Sequence, residues 1–325
     1  MSAAPRLAGL DALRGIAALL VMGLHANAVF HGLEPFSKGY LGVDFFLMLS
    51  GFLMARITEP RLAAGLAPQQ FMIARYKRFW GMVAVGSLIG IPYLWIRSGG
   101  EWWPFLPALI ANLALLPWPV ANLLFAVNIP AWTIFAELAA NASHVFALRY
   151  LSNRTIALLT LLLGGLTAWV ALTWGSLDVG ARPGHLWVAI PRVLFAYCLG
   201  ITLWRWRQER VLIPLPATLV LGAMPLAIIG GWQLGWQNWS FDLAFVMMLC
   251  PLIISAATAI TQQTWLGWLS AAISFPLFAV HLPIMEAVRE QGGGKQVAIP
   301  LALATALAIV WWTNRRDRRK ATSKL

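Results

Sequence analysis

The chain is short of charge. Lys, Arg, Asp and Glu make up 11% of its 325 residues against 60% hydrophobic, and only 12 residues are acidic. A soluble globular surface needs about a quarter of its residues charged, so this composition, with a mean hydropathy of +0.72, excludes a soluble domain and leaves a polytopic membrane protein. Cysteine is nearly missing. Cys198 and Cys250 each sit in an apolar stretch, where they read as small packing residues, and neither a disulfide framework nor a metal site is expected. No internal repeat and no low-complexity linker is seen. Gly292-Gly293-Gly294 has no strand before it, so it reads as an outer turn rather than a phosphate loop. The formal net charge is +12, yet nucleic acid is excluded as a partner. The basic residues form short clusters at the ends of apolar segments, where orientation signals belong.

What is present is a series of long apolar runs, near 13–30, 40–57, 79–97, 131–151, 156–176, 186–204, 212–232, 241–260, 265–287 and 297–313, each of a length suited to a membrane span. The run 104–127 is weaker, because Pro104, Pro107, Pro117 and Pro119 crowd it and prolines this dense break helices. Charge asymmetry decides its place. If it does not cross and the N-terminus is cytoplasmic, the clusters Arg75/Lys77/Arg78, Arg205/Arg207/Arg210 and the tail from Arg315 all face the cytoplasm. If it crosses, the last two clusters are exported. The expected fold is therefore an all-α bundle of ten transmembrane helices with both termini cytoplasmic, and 104–127 an outer-face or re-entrant element. Residues 1–314 form one transmembrane domain and 315–325 a basic cytoplasmic tail. Gly15–Leu24 followed by Ala26-Asn27-Ala28 has the outline of a cleaved leader, but Asp11 and Arg14 interrupt its approach, and the segment reads as a retained first span.

Against this apolar background the ionisable residues stand out, since such groups within a span are costly and usually mark a site. Arg14 and His25 lie eleven residues apart in the first span. Eleven steps of about 100° return His25 to the helical face of Arg14, roughly 16 Å along the axis. A neutral imidazole there can serve as a general base or as a hydrogen-bonded contact between helices; the arginine on the same face favours function. Asp44, near the outer end of the second span, can orient His25 or simply favour a helix N-terminus. Arg75 and Arg78, three apart where the third span leaves the cytoplasm, suit a phosphate-rich ligand or mark topology alone. Glu137, Asn141 and His144 form an i, i+4, i+7 stripe after Trp132, facing either an interior hydrogen-bond network or a substrate cavity. His281, in the ninth span, can bond across helices or line an acceptor site.

These runs together resemble the acyltransferase type 3 family of integral-membrane O-acyltransferases. The resemblance rests on Leu10-Asp11-Ala12-Leu13-Arg14-Gly15-Ile16 with His25 downstream, on Gly42-Val43-Asp44-Phe45-Phe46 through Ser50-Gly51-Phe52, on Arg75-Tyr76-Lys77-Arg78, on Pro130-Ala131-Trp132 through Glu137, and on Ser274-Phe275-Pro276 through His281-Leu282-Pro283. It implies ten helices, catalytic roles for His25 and Arg14, and donor contact at Arg75 and Arg78. The donor it implies is acyl-CoA, with acetyl favoured, as a co-substrate rather than a bound cofactor. The acceptor is a hydroxyl of a glycan, a lipid-linked sugar or a small natural product, with membrane lipids as surroundings and the inner (plasma) membrane of a bacterium as location. Leu138-Ala139-Ala140-Asn141 replaces the second acidic residue and the Gln-Phe-Tyr that often follow Glu137 in the family, a departure on the acceptor side. No hydrolase-like extracellular domain is appended, so the membrane part is expected to complete the reaction alone.

The expected chemistry is direct transfer, with His25 as base and Asp44 steadying it, because no serine or cysteine is evidently paired with His25. The rival function is a transporter or exporter of a glycan, lipid or small solute, with Arg14, His25, Glu137 and His144 lining its path. Transporters of this size often carry repeats, and none is seen.

Overall fold

A computed structural model describes residues 6–322 apart from 102, 104, 121 and 209, with side chains to Arg316. Pro104 and the side chains of the basic tail beyond Arg316 lie outside the described residues. In chain order the helices are α1 (Ala8–Phe30), α2 (Leu41–Leu53), which runs through a π turn at Met54–Thr58 into α3 (Glu59–Ala63), then α4 (Pro68–Arg97), α5 (Leu106–Leu113), α6 (Ala131–Phe146), α7 (Asn153–Trp174), α8 (Leu186–Arg207) and α9 (Ala217–Gln233). There follow α10 (Trp239–Ala244), continued by a π turn at Phe245–Leu249 into α11 (Cys250–Ala257), and the long α12 (Trp265–Glu290) and α13 (Lys295–Thr322). No β-strand occurs among the described residues.

Eight helical stretches among the described residues are long and apolar enough to cross a membrane. They correspond to eight of the ten expected runs. The other two, 131–151 and 212–232, fold as α6 and α9, of 16 and 17 residues. At 1.5 Å per residue these reach only about 24–26 Å, short of a hydrocarbon core of about 30 Å. Pro216 takes the N-cap position of α9 and starts it five residues late, whereas α6 begins where expected, after Pro130, and stops early at Phe146, where the chain leaves helical geometry at Ala147. The run 104–127 forms only the eight-residue α5 and then irregular chain. Its backbone is satisfied internally: buried Asn112 donates to the carbonyls of Leu116 and Leu124 and accepts from the Val127 N–H. Tyr93 donates to the Ala126 carbonyl at 2.6 Å. Non-helical backbone in a membrane protein is tolerated where protein covers it in this way.

Small residues set the close contacts, as expected when helices associate without a hydrophobic drive. A Cβ on Gly15 would stand 1.9 Å from the Ser270 hydroxyl, which locks α1 to α12. On the other side of the bundle, a Cβ on Gly51 would meet the Tyr197 carbonyl at 2.0 Å and one on Gly200 the Met48 carbonyl at 1.9 Å, so α2 and α8 press backbone to backbone. α12 packs on α1, α4 and α13, and α8 on α2 and α7. The first hub carries Arg14, His25, Arg75, Arg78 and His281, and the second carries Asp44.

Candidate active site

The local shape of α12 comes from Pro276 and Pro283, both inside the helix. Pro283 has no N–H, so the Ala279 carbonyl loses its helical partner. Asn128 replaces it, donating from Nδ2 to the Ala279 carbonyl at 2.9 Å. Gly86 of α4 lets that helix lie against the same carbonyl, where a Cβ would come within 2.1 Å. The turn between the prolines is thereby held from two sides, and it carries Phe278 and His281.

His281 is wholly buried, and its Nδ1 lies 2.8 Å from the Leu277 carbonyl one turn back. A carbonyl only accepts, so Nδ1 carries the proton and, in the neutral ring, Nε2 presents a lone pair. That Nε2 is 2.7 Å from Nδ1 of His25, and the rings stack with centroids 4.9 Å apart. His25 Nδ1 is therefore the donor, which leaves His25 Nε2 as the basic nitrogen. The order carbonyl, His281, His25 does what a carboxylate does in a hydrolase triad: it fixes one tautomer and one ring orientation. Of the two roles expected for His281, the bond across helices is the one formed, and it is made to His25 itself.

A cavity of about 530 Å³ opens between α1, α2, α3, α4, α6 and α12. Arg6, Arg14, Arg56, Arg61, Arg75 and Arg78 line it, with Asp11 and Glu137 as the acidic residues among them. Both carboxylates are occupied. Asp11 pairs with Arg6 at 3.1 Å, and Glu137 accepts from Arg75 at 2.7 Å and from Ser50 at 2.8 Å. Arg14 and Arg78 make no hydrogen bond or ion pair among the described residues. Two unpaired guanidinium groups beside a third give a strongly electropositive chamber, suited to an anionic, phosphate-bearing ligand. α1 is unbroken from Arg14 to His25, so the expected separation of about 16 Å along one face holds. Neither histidine lines the cavity; Phe46 and Phe278 do.

The remaining expected site residues fall outside the cavity wall. Asn141 stands behind Glu137, accepting from the Tyr197 hydroxyl at 3.0 Å. Buried His144 lies 3.0 Å from Glu59, which also holds Arg205 at 2.6 Å. The polar stripe of α6 thus faces the interior, and only its Glu137 reaches the chamber. Trp132 packs against Gly180, where a Cβ would stand 2.3 Å from the indole.

Asp44 requires a correction. It does not orient His25: both its oxygens are held by Arg192, from Nε at 2.8 Å and Nη2 at 2.7 Å, with neither side chain accessible. The reason lies in the α2–α8 contact. The helices run parallel, as the Phe52–Trp204 ring contact further along confirms, and Arg192 comes level with Asp44. Arg192 also donates to the carbonyls of Val179 and Tyr40. Beside it, Asp242 accepts from Lys38 at 2.7 Å, from the Tyr40 hydroxyl at 2.6 Å and from the Leu177 N–H at 2.8 Å. Arg192 and Asp242 went unread in the sequence, although each is a lone charge in an apolar run, the same signal that marked Arg14.

A family description for an acyltransferase domain matches residues 7–315, nearly the whole chain. Among curated proteins, "Protein 2 in picA locus" from Rhizobium radiobacter is 33% identical over 153 residues, covering 42% of this chain and 78% of that protein. No solved structure matches. The apolar helical bundle and the extent of that match make this chain a multi-pass membrane protein belonging to the acyltransferase type 3 family.

Proposed function

We propose that this protein transfers an acyl group, acetyl in the first instance, from acyl-CoA to a hydroxyl of a glycan or glycolipid at a bacterial inner membrane. The observation that carries the reading is the electropositive chamber, with Arg14 and Arg78 unpaired, joined through the single helix α1 to a histidine whose free nitrogen is basic. Arg75 and Arg78 hold the donor's phosphates from the cytoplasmic side. Arg14 holds the donor in register with the base, and the pantetheine arm extends along α1 toward His25. The acceptor hydroxyl oxygen attacks the thioester carbonyl carbon while His25 Nε2 takes its proton. The new C–O bond forms as the C–S bond breaks, and the departing thiolate recovers the proton from the imidazolium. His281 keeps the His25 lone pair aimed throughout. No covalent acyl-enzyme is needed.

The test is thiol release from acetyl-CoA by the purified protein in nanodiscs, with radiolabelled acetyl followed into envelope glycans. A protein that binds acetyl-CoA and never consumes the thioester is not a transferase, and a transport role then takes its place. At the donor site, Arg78→Ala should raise the KM for acetyl-CoA by about tenfold, the worth of one charge-assisted hydrogen bond, with kcat nearly unchanged. Arg75→Ala mixes that loss with the release of Glu137. An unmoved KM in steady-state kinetics of Arg78→Ala reduces that residue to an orientation signal.

A further inference from the structure

The cavity ends short of the base. Phe46 of α2 and Phe278 of α12 line its wall, and His25 and His281 do not. The two rings meet edge to face with centroids 5.9 Å apart, and Phe278 meets the His281 ring edge-on at 6.1 Å. The sequence of contacts is thus chamber, Phe46–Phe278, His281, His25. Phe278 is nearly inaccessible, and Phe46, partly buried, packs against both hydrophobic cores of the bundle. Phe45, the neighbour of Phe46, is fully buried in the larger core, so α2 cannot swing as a whole. Rotation of the Phe46 and Phe278 side chains is the small motion that joins the chamber to the histidine pair. Phe278 sits in the turn bracketed by Pro276 and Pro283, where the helical hydrogen-bond ladder is interrupted, and Phe46 faces it from the opposite helix.

We infer that Phe46 and Phe278 form an acyl gate: an aromatic partition that keeps chamber water from the His25–His281 pair, admits the thioester by turning aside, and sets the length of acyl group that can reach the base. This deepens the transferase reading and rests on it. The two rings touch the acyl group and move no proton, so they are specificity-determining rather than catalytic. With the partition in place, a short acyl group passes and chamber water is held back. With it removed, water can replace the acceptor hydroxyl. Its oxygen then attacks the thioester carbonyl, the C–S bond breaks, and a carboxylic acid and the CoA thiol are released.

The experiment uses the full chain in nanodiscs with acetyl-CoA and hexanoyl-CoA as probes and no acceptor, reading thiol release for the wild type, Phe46→Ala, Phe278→Ala and the milder Phe46→Leu and Phe278→Leu. The alanine variants should hydrolyse acetyl-CoA faster than the wild type. Their preference for acetyl over hexanoyl should fall by about tenfold or more, since single methylenes in an apolar passage are each worth about 10–200-fold. The leucine variants should lie between, and they keep the result readable if an alanine variant fails to fold. Wild-type turnover with an unchanged preference in the folded variants overturns the gate alone. Absence of thiol release from either thioester in the alanine variants, despite acetyl-CoA binding, also overturns the gate alone; absence of thiol release in every protein when envelope glycans are supplied as acceptor overturns the transferase reading and the gate with it.

Discussion

Replacing His25 with alanine should lower the transfer rate by about 10²–10⁴-fold, the usual worth of a positioned general base, while acetyl-CoA still binds. The separation of these two effects follows from the geometry. The chamber proposed for the donor is lined by Arg14, Arg75 and Arg78 and not by His25, so on this reading binding and proton transfer use different residues. Stability should change little, because His25 is only partly buried and its one hydrogen bond is to His281. Equilibrium binding of acetyl-CoA, thermal unfolding in detergent and initial transfer rates on the same preparation resolve the three. Activity at the wild-type level in the alanine variant eliminates the base.

The partner ring gives a graded check on the same mechanism. In His281→Gln, the amide can still donate to the Leu277 carbonyl and present its oxygen to His25 Nδ1, which preserves the tautomer order. His281→Leu cannot do either. The expected ranking of kcat is wild type, then His281→Gln, then His281→Leu, with KM for acetyl-CoA constant across all three. A purely structural histidine would not separate the glutamine and leucine variants in kcat once folded protein is matched.

What the sequence made legible was local. Arg14 and His25 share a helix, so a period of 3.6 residues sufficed to align them. The i, i+4, i+7 stripe of Glu137, Asn141 and His144 was legible for the same reason, and so was the failure of the proline-rich 104–127 run to form a long helix. The partners across helices were not legible. His25 finds His281 at a separation of 256 residues, and Asp44 finds Arg192 at 148. Both pairings follow from which helices press together, decided by glycines such as Gly15 against Ser270 and Gly51 against Tyr197. Nothing in the pattern around Asp44 distinguishes a histidine on the first span from an arginine on the sixth, because both lie at suitable depth. The cavity was beyond reach for a related reason: its lining is drawn from six helices and the chain between them, and its wall at Phe46 and Phe278 depends on rotamers.

The correction at Asp44 carries the second large prediction, and its sign separates structure from chemistry. Asp44→Ala leaves the Arg192 guanidinium inaccessible with two backbone carbonyls and no direct ion-pair partner, Asp178 acting on it only from a distance. Breaking a buried pair from one side costs about 3–5 kcal/mol, which is about a 10²–10⁴-fold loss in the folded-to-unfolded ratio. Arg192→Met strands the carboxylate in the same way and should cost about as much. Removing both charges together, as Asp44→Leu with Arg192→Met, should restore much of the stability, because apolar residues of similar volume often replace a buried ion pair at little net cost. Unfolding in detergent, measured for both singles and the double, provides the cycle. A large favourable coupling, with transfer activity in the double variant close to wild type per folded molecule, places Asp44 and Arg192 in the frame that sets α2 against α8. The opposite pattern, a fully stable Asp44→Ala that has lost transfer, would return Asp44 to the chemistry of His25, and the bidentate geometry at Arg192 would then be insufficient to account for its presence.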